Sequence, residues 1–123
     1  MTIINFPTDR LRTPHTAAEK ARILIAIVTG IRTLGEPCTA DELVDFVRSR
    51  MPAMEAWRLR AGVEALLREY AEPAPAAPFA HPPFRRVLLA GAEGWAFSKP
   101  FRMELANSGL EVRLRPMPDA HDA

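Results

Sequence analysis

The sequence has little of the chemistry that enzymes and metalloproteins use. Its 123 residues include one cysteine, Cys38, so the chain can form neither an internal disulfide nor a thiolate cluster. The three histidines, His15, His81 and His121, lie beside prolines or near the end of the chain, and no two have the spacing of metal ligands. A glycine-rich phosphate loop is also missing. We therefore expect a protein that is not an enzyme and that binds neither a metal nor a cofactor.

The chain also lacks an excess of charge and a long apolar run. Sixteen basic and fifteen acidic residues give a net charge of +1, so nucleic-acid binding would require a local basic face. The longest apolar run, from Ile23 to Thr29, is too short to cross a bilayer. Residues 1–15 contain no apolar segment typical of a signal peptide. A chain with a single cysteine also suits a reducing compartment. Together these features favour a cytoplasmic protein without a membrane partner.

What is present is the composition of one globular domain. The chain is 48% hydrophobic and 25% charged, and its length suits a single domain of ordinary size. Residues 1–15 lack a clear period and predict a flexible N-terminal arm. The domain is expected over residues 16–115, with a stiff proline-rich connector at 73–83 inside it. Residues 116–123 predict a disordered tail.

Three helices are predicted, and the first two share an N-terminal signal. Thr16-Ala-Ala-Glu19 and Thr39-Ala-Asp-Glu42 both have the spacing of a capping box. Gly35 predicts the end of the first helix, and Met51-Pro52 the end of the second. The third helix is expected from residue 53 or 55 to residue 70. It is marked by an apolar stripe at helical spacing, formed by Leu59, Val63, Leu66, Leu67 and Tyr70.

A β-hairpin is predicted after the proline-rich connector. The strands are Arg86-Val-Leu-Leu-Ala and Trp95-Ala-Phe-Ser98, in which apolar residues alternate. We expect Gly91 and Gly94 to supply positive φ angles at the turn, with Ala92-Glu93 at its tip.

The segment after this hairpin supports two interpretations. Alternating apolar and charged residues favour a second hairpin over residues 101–115. The competing interpretation is a short helix from Phe101 to Asn107, capped at Gly109. The order of elements predicts an α+β fold, a winged helix-turn-helix of three helices and a β-hairpin wing. An extra C-terminal β-hairpin or short helix would follow the wing.

The leading functional hypothesis is sequence-specific binding of double-stranded DNA by a small dimeric transcriptional regulator. In a helix-turn-helix the second helix of the pair enters the major groove, and here that is the third helix. Arginines there can pair with guanine, and basic residues around the hairpin can contact phosphates. The candidate DNA-binding residues are Trp57, Arg58, Arg60, Ala61, Arg68, Arg85, Arg86 and Lys99. Against this hypothesis, most surface arginines are merely solvated, and a carboxylate at the wing tip would repel phosphate.

The alternative is a winged helix that binds another protein. The first helix carries more apolar surface than one face of a small core needs, including a stripe of Ile23, Ile27 and Leu34. This stripe predicts either deep burial or a dimer or partner surface. The near-neutral charge and the acidic hairpin tip favour a protein-binding module. Such a module could be a subunit of a chromosome-maintenance complex, or an adaptor or inhibitor of another protein.

Three short segments resemble a known family. They are Gly35-Glu-Pro-Cys-Thr-Ala-Asp-Glu-Leu43, Val63-Glu-Ala-Leu-Leu-Arg-Glu-Tyr70 and Val87-Leu-Leu-Ala-Gly-Ala-Glu-Gly-Trp95. Together they are similar to the first winged helix of segregation and condensation protein B, over about half of the chain. The resemblance implies a winged-helix fold. Members of that family carry two tandem winged helices, bind a kleisin subunit and act in chromosome condensation. This chain has room for one winged helix, and its proline-rich insertion departs from the family pattern.

Overall fold

Over the residues that the structure describes, four helices and a small antiparallel sheet form a mixed α+β fold. The computed structural model describes residues 15–71, 82–89, 91–115 and 120–122. Its helices are α1 (Ala17–Leu34), α2 (Ala40–Arg50), α3 (Ala56–Glu69) and α4 (Lys99–Asn107). Its strands are β1 (Cys38–Thr39), β2 (Phe84–Leu89), β3 (Ala92–Phe97) and β4 (Ala120–Asp122), in the sheet order β1-β3-β2-β4. The predictions for residues 1–14, for most of the proline-rich connector and for residues 116–119 and 123 lie outside the described residues.

Both predicted capping boxes are confirmed. The Thr16 hydroxyl accepts from the Glu19 amide at 3.1 Å, and the Glu19 carboxylate accepts from the Thr16 amide at 2.9 Å. The same reciprocal pair joins Thr39 and Glu42 at the start of α2. Gly35 ends α1 with a φ of 99°, a conformation that L side chains rarely adopt. Local sequence signals therefore determine the boundaries of the first two helices.

Helix α3 buries the stripe that the sequence predicts. Leu59, Val63 and Leu67 are fully buried, Leu66 is nearly so, and Tyr70 packs against the core after the helix has ended. The helix begins at Ala56, and the side chain of its N-cap residue, Glu55, accepts no capping hydrogen bond from the helix backbone. On the opposite side of α3, Arg60, Ala61 and Arg68 are exposed, while Trp57 and Arg58 are half-buried.

The interpretation of the α1 stripe as a partner surface needs correction. Ile23 and Ile27 are 0% exposed and belong to the core that α1, α2, α3 and the sheet share. Leu34 is partly buried against the same core. Close packing explains why: a Cβ added to Gly62 on α3 would lie 3.1 Å from the Ile23 side chain. The apolar residue of α1 that faces outward is Ile25, which is 66% exposed.

The hairpin is confirmed, but its turn is shorter than expected. Strands β2 and β3 pair from Phe84 with Phe97 to Leu89 with Ala92, which leaves a two-residue turn that contains Gly91. Gly91 has the predicted positive φ, 87°. The expectation for Gly94 is wrong, because Gly94 is a buried strand residue between β1 and β2. Glu93 likewise lies within β3 and not at the tip.

The favoured second hairpin over residues 101–115 is wrong, and the competing short helix is right. Helix α4 begins after the Ser98 cap and is followed by Gly109 with a φ of 77°. Phe101 and Leu105, one helical turn apart, are buried against the core, and Met103 between them is 60% exposed. The tail prediction also needs correction at residues 120–122, which form β4 beside β2. None of the described helices is long and apolar enough to cross a membrane.

Candidate functional site

Carboxylates hold the three arginines of α3 that the sequence predicts as DNA contacts, Arg58, Arg60 and Arg68. Arg58 donates through both terminal nitrogens to Glu19 on α1, at 2.8 and 3.0 Å. The bidentate bond from Arg58, followed by the Thr16 amide, lowers the pKa of the Glu19 carboxyl to about 2. His15 approaches the Arg58 backbone carbonyl with Nε2, at 3.0 Å. Arg58 therefore ties α3 to the start of α1.

Arg60 is shared between two carboxylates on the same exposed surface. Its Nη1 atom lies 2.9 Å from Asp41 at the start of α2 and 3.3 Å from Glu64, one turn further along α3. These hydrogen bonds, first with Asp41 and then with Glu64, raise the pKa of the Arg60 guanidinium. The predicted base-reading arginine thus faces two acidic groups.

Glu93 joins the β2–β3 hairpin to α3. Its carboxylate oxygens lie 3.2 Å from Arg68 on α3 and 3.3 Å from Arg86 on β2. The sequence interpretation, in which an acidic hairpin tip repels phosphate, is therefore corrected: Glu93 lies on the strand, where it pairs with two of the predicted DNA contacts. We call Arg58, Arg60, Arg68 and Arg86, with their carboxylate partners, the paired arginine face.

The other predicted contacts are scattered. Arg85 donates through Nε to the Phe97 carbonyl at 3.2 Å, and Lys99 lies exposed at the start of α4. Both lie at the end of the hairpin away from its turn. Trp57 is half-buried and donates from its indole nitrogen to Glu55 at 3.0 Å, and Ala61 is exposed. The structure thus brings Arg68 and Arg86 together on Glu93, and holds Arg58 and Arg60 separately, against carboxylates of α1 and α2.

A cleft of about 500 Å³ opens beside the N-terminal end of α3. It lies where the α2–α3 turn, residues 51–55, meets the first turns of α1. Its walls combine apolar and basic side chains, among them Arg22, Arg50, Met51, Pro52, Met54 and Trp57. Of the lining residues, sequence reasoning singled out Trp57 and Arg58, both as DNA contacts, and missed the rest. We call this space the turn cleft.

Sequence reasoning also missed a buried glutamate. Glu36, 3% exposed, accepts from the Phe97 amide at 2.7 Å and forms an ion pair with Arg102 on α4. Its backbone bonds to residues 113 and 115 of the C-terminal segment. The Gly35-Glu36-Pro37 sequence gave no signal of this role, because every partner of Glu36 is more than 60 residues away.

The described residues hold no centre suited to a metal or to thiol chemistry. Among them, no group of three or more histidine, cysteine, aspartate or glutamate side chains could hold a metal ion. Cys38 is fully buried and donates to the Gly35 carbonyl, and burial raises the pKa of its thiol to about 11. A thiol held in the protonated form is a poor nucleophile.

Comparison with known proteins adds no relative. No known protein family matches the chain, and neither a curated protein nor a solved structure is similar to it at a significant level. The order of its elements is compatible with a winged helix. Function must therefore be argued from the paired arginine face, the turn cleft and the exposed apolar residues.

Proposed function

We propose that the chain is a winged-helix domain whose function is to bind another protein. The fold proposal rests on the order α1, β1, α2, α3, β2, β3, with the short β1 paired to β3. In it, α2 and α3 form the helix-turn-helix pair, and β2 and β3 form the wing.

The observation that carries the functional proposal is the charge balance of the paired arginine face. Four arginines there contact four carboxylates: Glu19, Asp41, Glu64 and Glu93. DNA affinity comes largely from positive charges that replace the counterions of phosphates. An arginine already paired with a carboxylate contributes little affinity for a DNA phosphate, and the carboxylate itself repels the DNA backbone. Protein interfaces, in contrast, tolerate a polar rim of paired charges.

Exposed apolar residues on the C-terminal side support the same proposal. Met103 on α4 is 60% exposed and Leu114 is 63% exposed. A groove of about 540 Å³ between α4 and the segment that follows it is lined by Arg102, Leu110 and Leu114, among others. Accessible apolar side chains beside a charged rim are what a protein partner buries. The resemblance to segregation and condensation protein B makes a subunit of a chromosome-maintenance complex the first partner class to test.

DNA binding is the second candidate. Within the part of the chain that the structure describes, the exposed Arg22, Arg48 and Lys99 have no carboxylate partner within ion-pair distance. These three could contact phosphates without first breaking an ion pair. A dimeric regulator would need an interface other than Ile23 and Ile27, because both are core residues.

Fluorescence anisotropy with a mixed DNA library, at about 50 and 200 mM salt, separates the two candidates. We expect the wild-type chain to show no salt-sensitive binding. The double variant Asp41→Asn/Glu93→Gln releases Arg68 and Arg86 from Glu93, leaves Arg60 with Glu64 alone, and should gain binding at the lower salt. Binding of the wild-type chain at about 1 µM or tighter, lost at the higher salt, would establish DNA as the ligand and refute our proposal.

A paired capture experiment tests the protein partner directly. The wild-type chain and the variant Met103→Asp/Leu114→Asp are used as bait in cells that make the protein. A partner retained by the wild type and lost by the variant supports the proposal. Lys20→Asp, at an exposed position in the first turn of α1, makes the same change in net charge, is the matched control and should retain the partner. Equal capture by all three baits would contradict the assignment of the apolar surface.

A further inference from the structure

We propose that the turn cleft binds a small organic anion with a flat apolar body, of the class of aromatic carboxylates. This inference goes beyond the proposed function and does not depend on it. It rests on three properties of the cleft, which are its size, its apolar walls and its unbalanced positive charge.

The size and walls of the cleft suit a small molecule. Its volume of about 500 Å³ lies within the usual range for small-molecule sites. Met51, Met54 and Pro52 come from the α2–α3 turn, and the half-buried Trp57 comes from the first turn of α3. An indole face and two thioethers form a polarisable wall against which an aromatic ring stacks well.

The charge of the cleft favours an anion. Three arginines line it, Arg22, Arg50 and Arg58, against two glutamates. Both carboxylates are already engaged: Glu19 accepts from Arg58, and Glu55 accepts from the Trp57 indole nitrogen. Neither Arg22 nor Arg50 has a carboxylate within ion-pair distance among the described residues. The lining therefore carries a net charge of +1, and two of its arginines, Arg22 and Arg50, are outside any described ion pair.

Arg50 is also held in place for this role. Its guanidinium carbon lies 4.8 Å from the centre of the Phe46 ring, in a cation–π contact one turn back on α2. A cation–π contact does not require the N–H donors of the guanidinium, which can still bind a carboxylate. An ordered donor loses less conformational freedom on binding than a free arginine does.

The two tryptophans of the chain provide a built-in test. Trp57 lines the cleft, and Trp95 is 2% exposed in the core, so their indole N–H signals in ¹H–¹⁵N spectra report the site and the fold separately. The full chain is titrated with benzoate, 3-phenylpropionate and indole-3-acetate, and with the uncharged amide of each. Trp57→Phe assigns the two signals.

We expect the carboxylates to shift the Trp57 signal saturably, with a dissociation constant of about 1 mM or tighter for the best of them. The Trp95 signal should stay in place. The amides should bind about tenfold more weakly, since they lack the charge-assisted hydrogen bonds. Arg50→Gln and Arg22→Gln should each weaken carboxylate binding by a similar factor and leave amide binding unchanged. Arg48→Gln removes an exposed arginine of α2 that does not line the cleft and should have no effect.

Three results would overturn the inference. One is the absence of a saturable Trp57 shift with all three carboxylates. Another is equal affinity for carboxylates and amides, which would make the site merely apolar. The third is an equal loss in Arg48→Gln and Arg50→Gln, which would reveal a general charge effect. Since none of these measurements uses DNA or a protein partner, failure here is distinguishable from failure of the proposed function.

Discussion

At the scale of single residues, the decisive feature is the partner that each arginine has. Arg60 with Glu64, four residues apart on one helix, is a pair that sequence spacing can show. Arg58 with Glu19 and Arg68 with Glu93 are separated by 39 and 25 residues. Those pairs exist only because α1, α3 and the hairpin pack together. From the sequence, the arginines look like cations that are free to bind a ligand. Their long-range ion pairs with carboxylates cannot be predicted from residue spacing.

The bond between Arg58 and Glu19 predicts an acid-sensitive link between α3 and α1. The pKa of Glu19 is lowered from 4.5 to about 2, chiefly by the hydrogen bonds from Arg58. The folded state therefore binds this proton less readily than the unfolded chain does. The stabilising contribution is complete above pH 4.5 and is lost as the pH falls towards 2. Carbon-detected NMR titration should find the Glu19 carboxyl still ionised at pH 4.

Arg58→Gln should raise the pKa of Glu19 towards 4.5, because the largest cause of the shift is removed. The Thr16 amide bond remains and should keep the value somewhat below that of a free glutamate. Arg60→Gln, which does not contact Glu19, is the control. A wild-type Glu19 that titrates near 4.5 would show that the ion pair does not persist in solution.

At the scale of elements, the sequence is informative where the signal is local. Capping boxes, a glycine after a helix and a stripe at helical spacing predict α1, α2 and α3 because each depends on residues within a few positions. The favoured prediction for residues 101–115, a second hairpin, was wrong because Phe101, Met103 and Leu105 are spaced by two, as in a strand. Phe101 and Leu105 are equally one helical turn apart, and burial of that pair against the core selects the helix. Ser98, whose hydroxyl accepts from the Phe101 amide, was the local signal of the helix start.

The capping box of α2 leads to a stability prediction. Thr39→Ala removes the hydroxyl that accepts from the Glu42 amide and should lower the free energy of unfolding by about 1 kcal/mol. Thr39→Ser keeps the hydroxyl and should recover most of the loss. Thr33→Ala, at an exposed position of α1, is the control and should change stability by less than about 0.5 kcal/mol. Urea denaturation measures all three, and equal losses in Thr39→Ala and Thr39→Ser would contradict the capping role.

At the scale of the whole molecule, the C-terminal segment holds distant parts together. The amide of residue 113 donates to Arg32 on α1, and residues 113 and 115 bond to the backbone of Glu36 on both sides. The Glu36 side chain in turn accepts from β3 and pairs with Arg102 on α4. These contacts bridge separations of about 80 residues in the sequence, so no local pattern could have predicted them. Tertiary contacts of this kind, more than propensity, determine how residues 110–115 are placed.

The side chain of Arg115 joins the C-terminal segment to two helices. Its Nε atom donates to the Leu34 carbonyl at the end of α1, at 3.0 Å, and its Nη1 atom donates to Glu42 on α2, at 2.9 Å. The hydrogen bond from Arg115 is the largest cause of the lowered pKa of Glu42. A cation at a helix C-terminus also interacts favourably with the helix dipole. Loss of this side chain should therefore loosen the segment from both helices at once.

Arg115→Gln should lower the free energy of unfolding by about 1–2 kcal/mol, the range for losing a charge-assisted hydrogen bond at a partly exposed site. Arg113→Gln is a closely matched control, because Arg113 is two positions away, exposed, and binds α1 and Glu36 through its backbone. It should change stability by less than about 0.5 kcal/mol. In hydrogen exchange, the amides of Glu36 and Arg115 should lose protection in Arg115→Gln and keep it in Arg113→Gln. Equal losses of stability and of amide protection in the two variants would contradict this role. They would mean that the backbone contacts hold the segment and that the Arg115 side chain contributes no more than that of Arg113.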